Sequence, residues 1–236
     1  MLSVEGVVKR YRSGDETICP LDGVSMTVDA GQLVALYGPS GSGKTTLLTI
    51  AAGLTPVDSG SVLVGGRDIS SLSRAQSTRY RRVDLGYVTQ APDLLAGASA
   101  IDNAALKLLG LRRGGAKRGL SRREAHAEVI PLLERLGLDE RLGHQPHQLS
   151  TGERQRVSIA RALSTDPSLV LADEPTGNLD TKRSHQVLTL LSEICRERDV
   201  ALLLVTHDPR AASFADRQHE LRNGKLVAYE RDPLFS

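Results

Sequence analysis

A glycine-rich loop constrains the fold of this chain more than any other feature. Residues 38–45, GPSGSGKT, fit the pattern G-x-x-x-x-G-K-[ST]. An apolar run at residues 32–37 precedes the loop, and a helical stretch at 45–52 follows it. Glycines let successive backbone N–H groups turn towards phosphate oxygens, and a following helix presents the positive end of its dipole to the same anion. The sequence therefore predicts a strand, a phosphate-binding loop and a helix, in that order.

Two side chains at the end of this loop match the chemistry of a phosphate site. Lys44 is expected to reach the β- and γ-phosphates of a nucleotide, and Thr45 to place its hydroxyl on Mg²⁺. An ordinary glycine turn is the plainer alternative for the loop. Such a turn would not explain a lysine and a threonine at the start of the following helix, so the pattern favours a phosphate site.

A pair of acidic residues follows another apolar run. Residues 169–172 predict a buried strand, and Asp173 and Glu174 come directly after it. Carboxylates in such a place cost free energy unless something holds them, and neighbouring strand residues point to opposite sides. Asp173 suits Mg²⁺, through water, and Glu174 suits polarisation of an attacking water. A surface turn before Pro175 is the alternative. The loop upstream favours the functional interpretation, because phosphoryl transfer depends on positioning and charge neutralisation.

Short apolar runs alternate with helical stretches along most of the chain, which predicts an α/β fold with a largely parallel sheet. The run at 201–205 is apolar throughout, as expected for a strand covered on both faces. Residues 99–163 carry helical signals instead, so we expect a helical part inserted into the α/β core. Strands are predicted at residues 2–8, 21–28, 32–37, 61–64, 85–89, 169–172 and 201–205.

One helix of this insert can be predicted in more detail. Residues 121–136 are the candidate, because Glu124 follows Ser121 by three positions, as in a capping box. Pro131 lies inside and is predicted to kink or split the helix. Residues 112–119 are rich in glycine and basic side chains and predict a mobile loop. Its basic cluster is interpreted as solvated, with contact to anionic lipid headgroups as the alternative; the cluster is Arg112, Arg113, Lys117 and Arg118.

Composition argues against several functional classes. The formal net charge of the 236 residues is +2, without the basic excess typical of nucleic-acid binders, so no nucleic-acid partner is expected. Cys19 and Cys195 lie far apart, as expected for free thiols in a reducing compartment. No apolar run approaches the roughly 20 residues that span a bilayer. A membrane function would therefore need another polypeptide to supply the spans.

The segment LSTGERQR at residues 149–156 narrows the many phosphate-loop enzymes to one class. It resembles the LSGGQ signature of ABC ATPases, with Thr151 in place of the first glycine. Residues 173–180, DEPTGNLD, are similar to the branch that contains lipoprotein-release, macrolide-export and cell-division ATPases. The resemblance covers residues 4–227. Its other motifs are the A-loop aromatic Tyr11, the Q-loop Gln90, the D-loop Asn178, Leu179 and Asp180, and the switch histidine His207.

The resemblance implies a fold and a division of the chain. The expected fold is an α/β, P-loop NTPase core of the ABC ATPase type, with an N-terminal antiparallel β subdomain and an inserted helical subdomain. Residues 1–236 would form a single ABC ATPase domain. Within it, residues 1–90 and 166–236 would be the RecA-like α/β core with the β subdomain, and residues 91–165 the helical subdomain.

The resemblance also implies ATP hydrolysis with Mg²⁺. Two copies are expected to sandwich two ATP molecules and to power an integral membrane, permease-type subunit from the cytoplasmic face of the membrane. The implied catalytic residues are Glu174, His207, Gln90 and Lys44. The implied metal ligands are Thr45, Gln90 and Asp173. The implied nucleotide contacts are Tyr11, Gly38, Pro39, Ser40, Gly41, Ser42, Gly43, Lys44, Thr45, Thr46, Ser150, Gly152, Glu153 and Asp180.

Other interpretations stay open at this point. Ser150 and Glu153 also form a capping box, so the signature segment can be interpreted as a well-formed helix start. ABC ATPases of DNA repair carry coiled-coil or zinc insertions, and translation-type members join two ATPase units. Neither pattern is found in this sequence. The alternative that the sequence keeps is an ATP-dependent regulatory module of a membrane complex that does not transport.

Overall fold

The computed structural model describes residues 1–14, 16–111 and 119–227. The strands are β1 Leu2–Ser13, β2 Glu16–Val28, β3 Leu33–Tyr37, β4 Ser59–Val64, β5 Arg67–Asp68, β6 Leu85–Thr89, β7 Leu169–Asp173, β8 Ala201–Thr206, β9 Arg217–Arg222 and β10 Lys225–Val227. The helices are α1 Lys44–Ala51, α2 Arg74–Val83, α3 Ala100–Ala105, α4 Arg122–Arg135, α5 Thr151–Leu163, α6 Thr181–Glu197 and α7 Pro209–Ala212. Short 3₁₀ helices cover Asp139–Arg141 and Pro146–Gln148.

A six-stranded sheet forms the centre, in the order β10-β9-β3-β8-β7-β6. Its strands are parallel except for β10. All of β8 is buried, as the apolar run at 201–205 predicts for a strand covered on both faces. Tyr37 is opposite Thr206, and Asp173 is opposite Val205. The carboxyl ends of β3, β7 and β8 therefore lie at one edge, where ligands of open α/β sheets commonly bind.

The second sheet is antiparallel, in the order β2-β1-β4-β5. Its inward side chains pack with α1 and one face of the central sheet in a shared apolar cluster, for example Leu21, Leu36, Leu47 and Leu203. The opposite face of the central sheet packs against α3, α4, α5 and α6 in a second cluster, which includes Val129, Leu163, Leu191 and Leu202. The predicted α/β architecture with an antiparallel sheet and a helical region is confirmed.

The division at residues 90 and 166 stays a prediction. Helices α3, α4 and α5 contact one another, but their core is continuous with side chains of β7 and β8. Both cysteines are free thiols, as predicted. The basic cluster at Arg112, Arg113, Lys117 and Arg118 lies outside the described residues, so the loop predicted there remains a prediction. Of the helices that the structure describes, none is long and apolar enough to span a bilayer.

Of the two effects predicted for Pro131, a kink or a split of its helix, the split is wrong and the kink stays a prediction. Helix α4 runs unbroken from Arg122 to Arg135 with Pro131 inside it. Pro131 is exposed, and so is Ala127, whose carbonyl loses the i to i−4 bond that a proline cannot donate. Water can satisfy that carbonyl on the exposed side. On the opposite side Val129 and Leu133 are buried, and this burial stabilises a continuous helix.

Candidate active site

A cleft of about 330 Å³ opens where the phosphate loop meets the ends of β7 and β8. The loop enters it directly from β3, and α1 leads away from it. The cleft joins the loop, both acidic residues and the histidine in one place, because the three strands end at the same edge of the sheet. Its lining is Pro20, Ser40, Gly41, Gly43, Lys44, Thr45, Thr46, Asp173, Glu174, Val205 and His207.

Two glycines of the loop lie where no other residue fits. Gly43 has φ 110°, and a Cβ there would lie 2.1 Å from the carbonyl oxygen of Pro20. Gly38 has φ 152°, and its Cβ would lie 2.3 Å from the carbonyl oxygen of Leu221. Backbone from β2 and β9 therefore packs directly against the loop. These contacts fix the shape of the loop on the side that packs against β2 and β9, while its other side lines the cleft.

The start of α1 is open to an anion. Gly43 precedes the helix, and no side chain caps it within the described part of the chain. The N–H groups of a first helical turn have no partner inside the helix, and the helix dipole adds positive potential there. Ser42 adds a buried hydroxyl that has no hydrogen-bond partner among the described residues. The residues present therefore fit a phosphate group.

Lys44 lies over this loop with its ammonium group folded back. Its Nζ donates to the carbonyl oxygens of Gly38 at 2.7 Å and Pro39 at 2.8 Å. Burial lowers the pKa of Lys44, while the charges of Glu174 and Asp173 act in the opposite direction. A partly desolvated cation beside an open helix start is suited to binding a polyanion.

The two acidic residues have different surroundings. Burial, and secondarily the charge of Glu174, raises the pKa of Asp173, while Lys44 lowers it. Glu174 has a positive φ of 48°, which is uncommon for a residue other than glycine. Its Oε1 accepts from His207 N at 2.7 Å and from His207 Nδ1 at 2.6 Å. The carboxylate of Glu174 therefore points to the end of β8 and hydrogen-bonds there, and it is not paired with Asp173.

The predicted site residues Gln90 and Tyr11 lie outside the lining of this cleft. Gln90 follows β6, where its side chain packs against Gly177 and its carbonyl accepts from Asn178 Nδ2 at 3.2 Å. Tyr11 lies on β1, 42% exposed, with Lys9 Nζ 5.5 Å from its ring centroid. Its cross-strand partner on β2 is Ile18, which is 53% exposed. Together they form an exposed apolar platform on the antiparallel sheet.

The signature segment does not line the described cleft of its own chain either. Ser150 caps α5, and Glu153 completes a capping box with it. Glu153 also pairs with Arg141 at 2.9 Å. The hydrogen bonds from Ser150, with the Arg141 pair, lower the pKa of Glu153 to about 2. The side chain of Thr151, the departure from the signature, accepts from Arg154 Nη2 at 3.1 Å.

The start of α6 lies close to the signature segment. Asp180 caps α6 by accepting from Arg183 N at 2.9 Å. The side chain of Arg183 reaches towards Gly152, since a Cβ built there would lie 4.0 Å from Arg183 Cδ. Asp180 and Gly152 are therefore on neighbouring elements, and both are separate from the cleft lining.

Sequence reasoning missed three residues near these sites. Pro20 lines the cleft and its carbonyl packs on Gly43, Ile18 lies beside Tyr11, and Thr206 contacts Glu174. Pro20 and Ile18 carry no motif, and only the fold brings them there. A signal existed for Thr206, because it is the last residue of a buried strand directly before His207.

Residues 21–177 match the protein family described as ABC transporter. The chain belongs to the ABC transporter family. Among curated relatives of this ABC ATPase is the lipoprotein-releasing system ATP-binding protein LolD of Chromohalobacter salexigens, 42% identical over 96% of this chain and 92% of that protein. LolD of Bordetella avium is 46% identical over 96% and 95% of the two chains. The macrolide export ATP-binding/permease protein MacB of Rhodopirellula baltica is 43% identical, and this chain spans 32% of it.

Solved ABC cassettes share the fold of this ABC ATPase. The dimeric post-hydrolysis structure of the ATP-binding cassette MJ0796 with ADP and Pi matches with a TM-score of 0.84, at 34% identity and 98% coverage of both chains. The structure of cbiO1 from Clostridium perfringens matches with a TM-score of 0.82, at 28% identity and 96% and 86% coverage. The expected P-loop NTPase core of the ABC ATPase type is thus confirmed. The protein is an ATPase that binds ATP and hydrolyses it to ADP and phosphate.

Proposed function

We propose that two copies of this chain close around two ATP molecules and that hydrolysis drives a separate permease-type membrane subunit at the cytoplasmic face of the membrane. The observation that carries this proposal is the separation of the starts of α1 and α5 within one copy. The start of α1 lines the cleft, while the signature start of α5 is absent from the described cleft lining. A second copy would supply the missing half. The dimeric form of the MJ0796 cassette supports this arrangement.

Within one copy, the nucleotide would lie along the phosphate loop. The loop amides, with Ser40, Ser42, Thr45 and Thr46, would hold the phosphates, and Lys44 would add the positive charge that balances them. The exposed ring of Tyr11, with Ile18 beside it, offers an apolar surface for adenine. This assignment explains why an aromatic residue stays exposed in a chain with 3% aromatic residues.

The donor set at the cleft fits Mg²⁺. The ligands would be the hydroxyl of Thr45, the carboxylate of Asp173 through water, and the side-chain oxygen of Gln90, and hard oxygen donors are what Mg²⁺ prefers. Gln90 belongs to this set only by its place in the motif. In the structure its side chain packs against Gly177, outside the cleft lining. When bound, the ion neutralises phosphate charge. Thr45 and Asp173 line the cleft together with Lys44.

The chain's own groups would then move one proton. Glu174 would orient the attacking water and accept its proton, since its carboxylate lines the same cleft as the phosphate loop. His207, which is exposed, would contact the γ-phosphate. The bond from His207 to Glu174 keeps the two groups next to each other. Ser150, Gly152 and Glu153 would approach the nucleotide of the opposite copy, and Asp180 would link the two sites.

The membrane subunit would dock on residues 94–98. Leu95 is 51% exposed in this loop, which is a large apolar side chain to leave in water. The loop is held rigidly, because fully buried Asn103 donates to the carbonyls of Leu95 and Ala98 and accepts from Leu95 N. The segment lies between Gln90 and α3, so movement at the cleft could reach the partner. The relatives' names, a releasing-system ATP-binding protein and an ATP-binding/permease protein, support a membrane partner.

The experiment uses Glu174→Gln, which keeps the shape of the side chain and removes the base. Turnover should fall by about 10²–10⁴, while ATP binding persists and the ATP-bound dimer accumulates in light scattering. Adding Ser150→Arg should leave ATP binding by the monomer intact and abolish this dimer, because a bulky cation replaces a small hydroxyl. A double variant that still forms the ATP dimer would refute the sandwich.

A matched control is Ser121→Arg in the same background. Ser121 caps α4 through a capping box with Glu124, just as Ser150 caps α5 with Glu153. Both changes remove a cap of the same kind, so both lose similar helix stability. The ATP-bound dimer should still form in the Ser121→Arg variant and should fail to form in the Ser150→Arg variant. Equal failure of both variants would point to instability and count against the proposed contact.

A further inference from the structure

We propose that Thr206 is a positioning residue for hydrolysis, which holds the carboxylate of Glu174 in the orientation needed to accept a proton from water. Thr206 is the last residue of β8 and is 2% exposed. It is not among the described residues that line the cleft, so it would act through Glu174 and not on the nucleotide. This inference rests on the proposed role of Glu174 as the base.

The hydroxyl of Thr206 has its single proton directed at Glu174. Its Oγ1 accepts from the backbone N–H of Asp208 at 3.0 Å and lies 3.0 Å from Glu174 Oε2. A hydroxyl has one proton to donate, and Glu174 is its acceptor among the described residues. The Asp208 bond fixes the rotation of the hydroxyl, and this directs the proton at one carboxylate oxygen.

The two oxygens of Glu174 are held by partners of different mobility. Oε1 is bound by His207, whose side chain is 69% exposed, and Oε2 is bound by the buried Thr206. The exposed imidazole of His207 has room to rotate, so its side-chain bond to Oε1 is the more easily exchanged of the two. Thr206 lies in a buried strand between β3 and β7 and has no such freedom. Its bond to Oε2 and the backbone bond from His207 N–H to Oε1 are therefore the ones that can persist through turnover.

The backbone of Glu174 makes this side-chain contact necessary. Glu174 has φ 48°, and its N–H donates to Val205 O at 2.9 Å. The left-handed backbone turns the residue out of the path of β7 and towards β8. With the backbone held at Val205 and Oε2 held at Thr206, both ends of the side chain are fixed to consecutive residues of β8. Removing the Thr206 contact leaves the carboxylate held only at Oε1, by His207, so Oε2 is free to move.

The decisive variants are Thr206→Val, which is isosteric, and Thr206→Ser, which keeps the hydroxyl. Loss of a hydrogen bond to a charged group that is needed in the transition state should lower kcat of Thr206→Val by about 10- to 100-fold. KM for ATP should stay within about twofold, because binding groups are untouched. Thr206→Ser should recover most of kcat. Thr206→Ala gives the same comparison with Thr206→Ser if the valine variant does not fold.

Two controls separate positioning from general damage. Thr165→Val removes another buried threonine hydroxyl, one without a hydrogen-bond partner among the described residues, and should leave kcat unchanged. In a Glu174→Ala background, the slow single-turnover hydrolysis should be the same with and without the added Thr206→Val change, because there is no carboxylate left to position. A purely structural role would lower the rate in both backgrounds.

The outcomes are distinguishable. The inference is overturned if kcat of Thr206→Val stays within about twofold of wild type, if Thr206→Ser loses as much as Thr206→Val, or if the loss persists without Glu174. If Glu174→Gln itself hydrolyses ATP near the normal rate, the proposed base is wrong and the positioning role falls with it. An inactive Glu174→Gln with a normal Thr206→Val overturns the positioning role alone.

Discussion

Helices α1 and α5 both begin at sequence motifs with small polar residues, but their first turns are satisfied in opposite ways. Before α1 stands Gly43, with φ 110° and no side-chain cap in the described structure. Before α5 stands Ser150, and a full capping box with Glu153 closes the first turn. Arg141 then pairs with Glu153. One helix start is left open by its own chain, and the other is closed.

The difference implies that the start of α1 is a binding site for an anion, whereas the start of α5 is already stabilised by groups of its own chain. The open N–H groups of α1 need an anion, and Lys44 lies beside them. At α5 the carboxylate of Glu153 already provides the negative charge that a helix dipole favours. A nucleotide held by one copy should therefore depend on α1 and be indifferent to α5. The contribution of α5 would come only when a second copy closes.

The largest expected effect is at the open start. Lys44→Ala should abolish turnover and weaken ATP binding by about 10- to 100-fold, because a charged hydrogen bond to phosphate is lost. Fluorescent-nucleotide titration and phosphate release measure the two effects. Lys225→Ala, an exposed lysine paired with Asp22, is the matched control and should change neither. Wild-type turnover in Lys44→Ala would show that the open start of α1 is not the nucleotide-binding site.

A smaller effect is expected at the closed start. Ser150→Ala removes the cap of α5 and should lower the free energy of unfolding by about 1 kcal/mol. ATP affinity of the monomer should not change, because Ser150 is outside the cleft. Urea unfolding and nucleotide titration test both statements on one preparation. If the monomer's ATP affinity falls along with its stability, the closed start is part of the site in its own copy.

The capping carboxylate should also leave a signature in the pH dependence of stability. In the folded chain the pKa of Glu153 is lowered from its usual 4.5 to about 2. Its stabilising effect is therefore fully present above pH 4.5 and is lost as the pH falls from there towards 2. The difference in unfolding free energy between wild type and Glu153→Gln should shrink over that window. A difference that stays constant from about pH 6 to about pH 3 would contradict the capping role.

The smallest effect is expected from a change that touches neither helix start. Leu95→Glu alters an exposed residue, so the free energy of unfolding should change by no more than about 0.5 kcal/mol. The ATPase rate of the isolated protein should be preserved, while co-purification with the proposed membrane subunit should be lost. Normal assembly of this variant in membranes would count against the proposed docking loop.

The capping boxes and the strand register show how far local patterns reach. The serine and glutamate spacings at 121 and 150 mark the first turns of α4 and α5, and the apolar run at 201–205 becomes the buried strand β8. Strands β9 and β10 were not predicted. Strand β9 has the sequence RQHELR, with Leu221 as its one buried residue, so it has no hydrophobic period to detect. Its place beside β3 comes from long-range pairing.

The sequence by itself determined the phosphate loop, the strand and helix around it, and the motifs that mark an ABC ATPase, because these depend on residue type and local spacing. Tertiary structure decided which groups meet. It brought Thr206 to Glu174, packed Pro20 and Leu221 against the loop glycines, and left the signature segment outside the described cleft of its own chain. It also carried α4 through Pro131. Contacts between residues distant along the chain arise from packing of whole elements, and no local pattern encodes that packing.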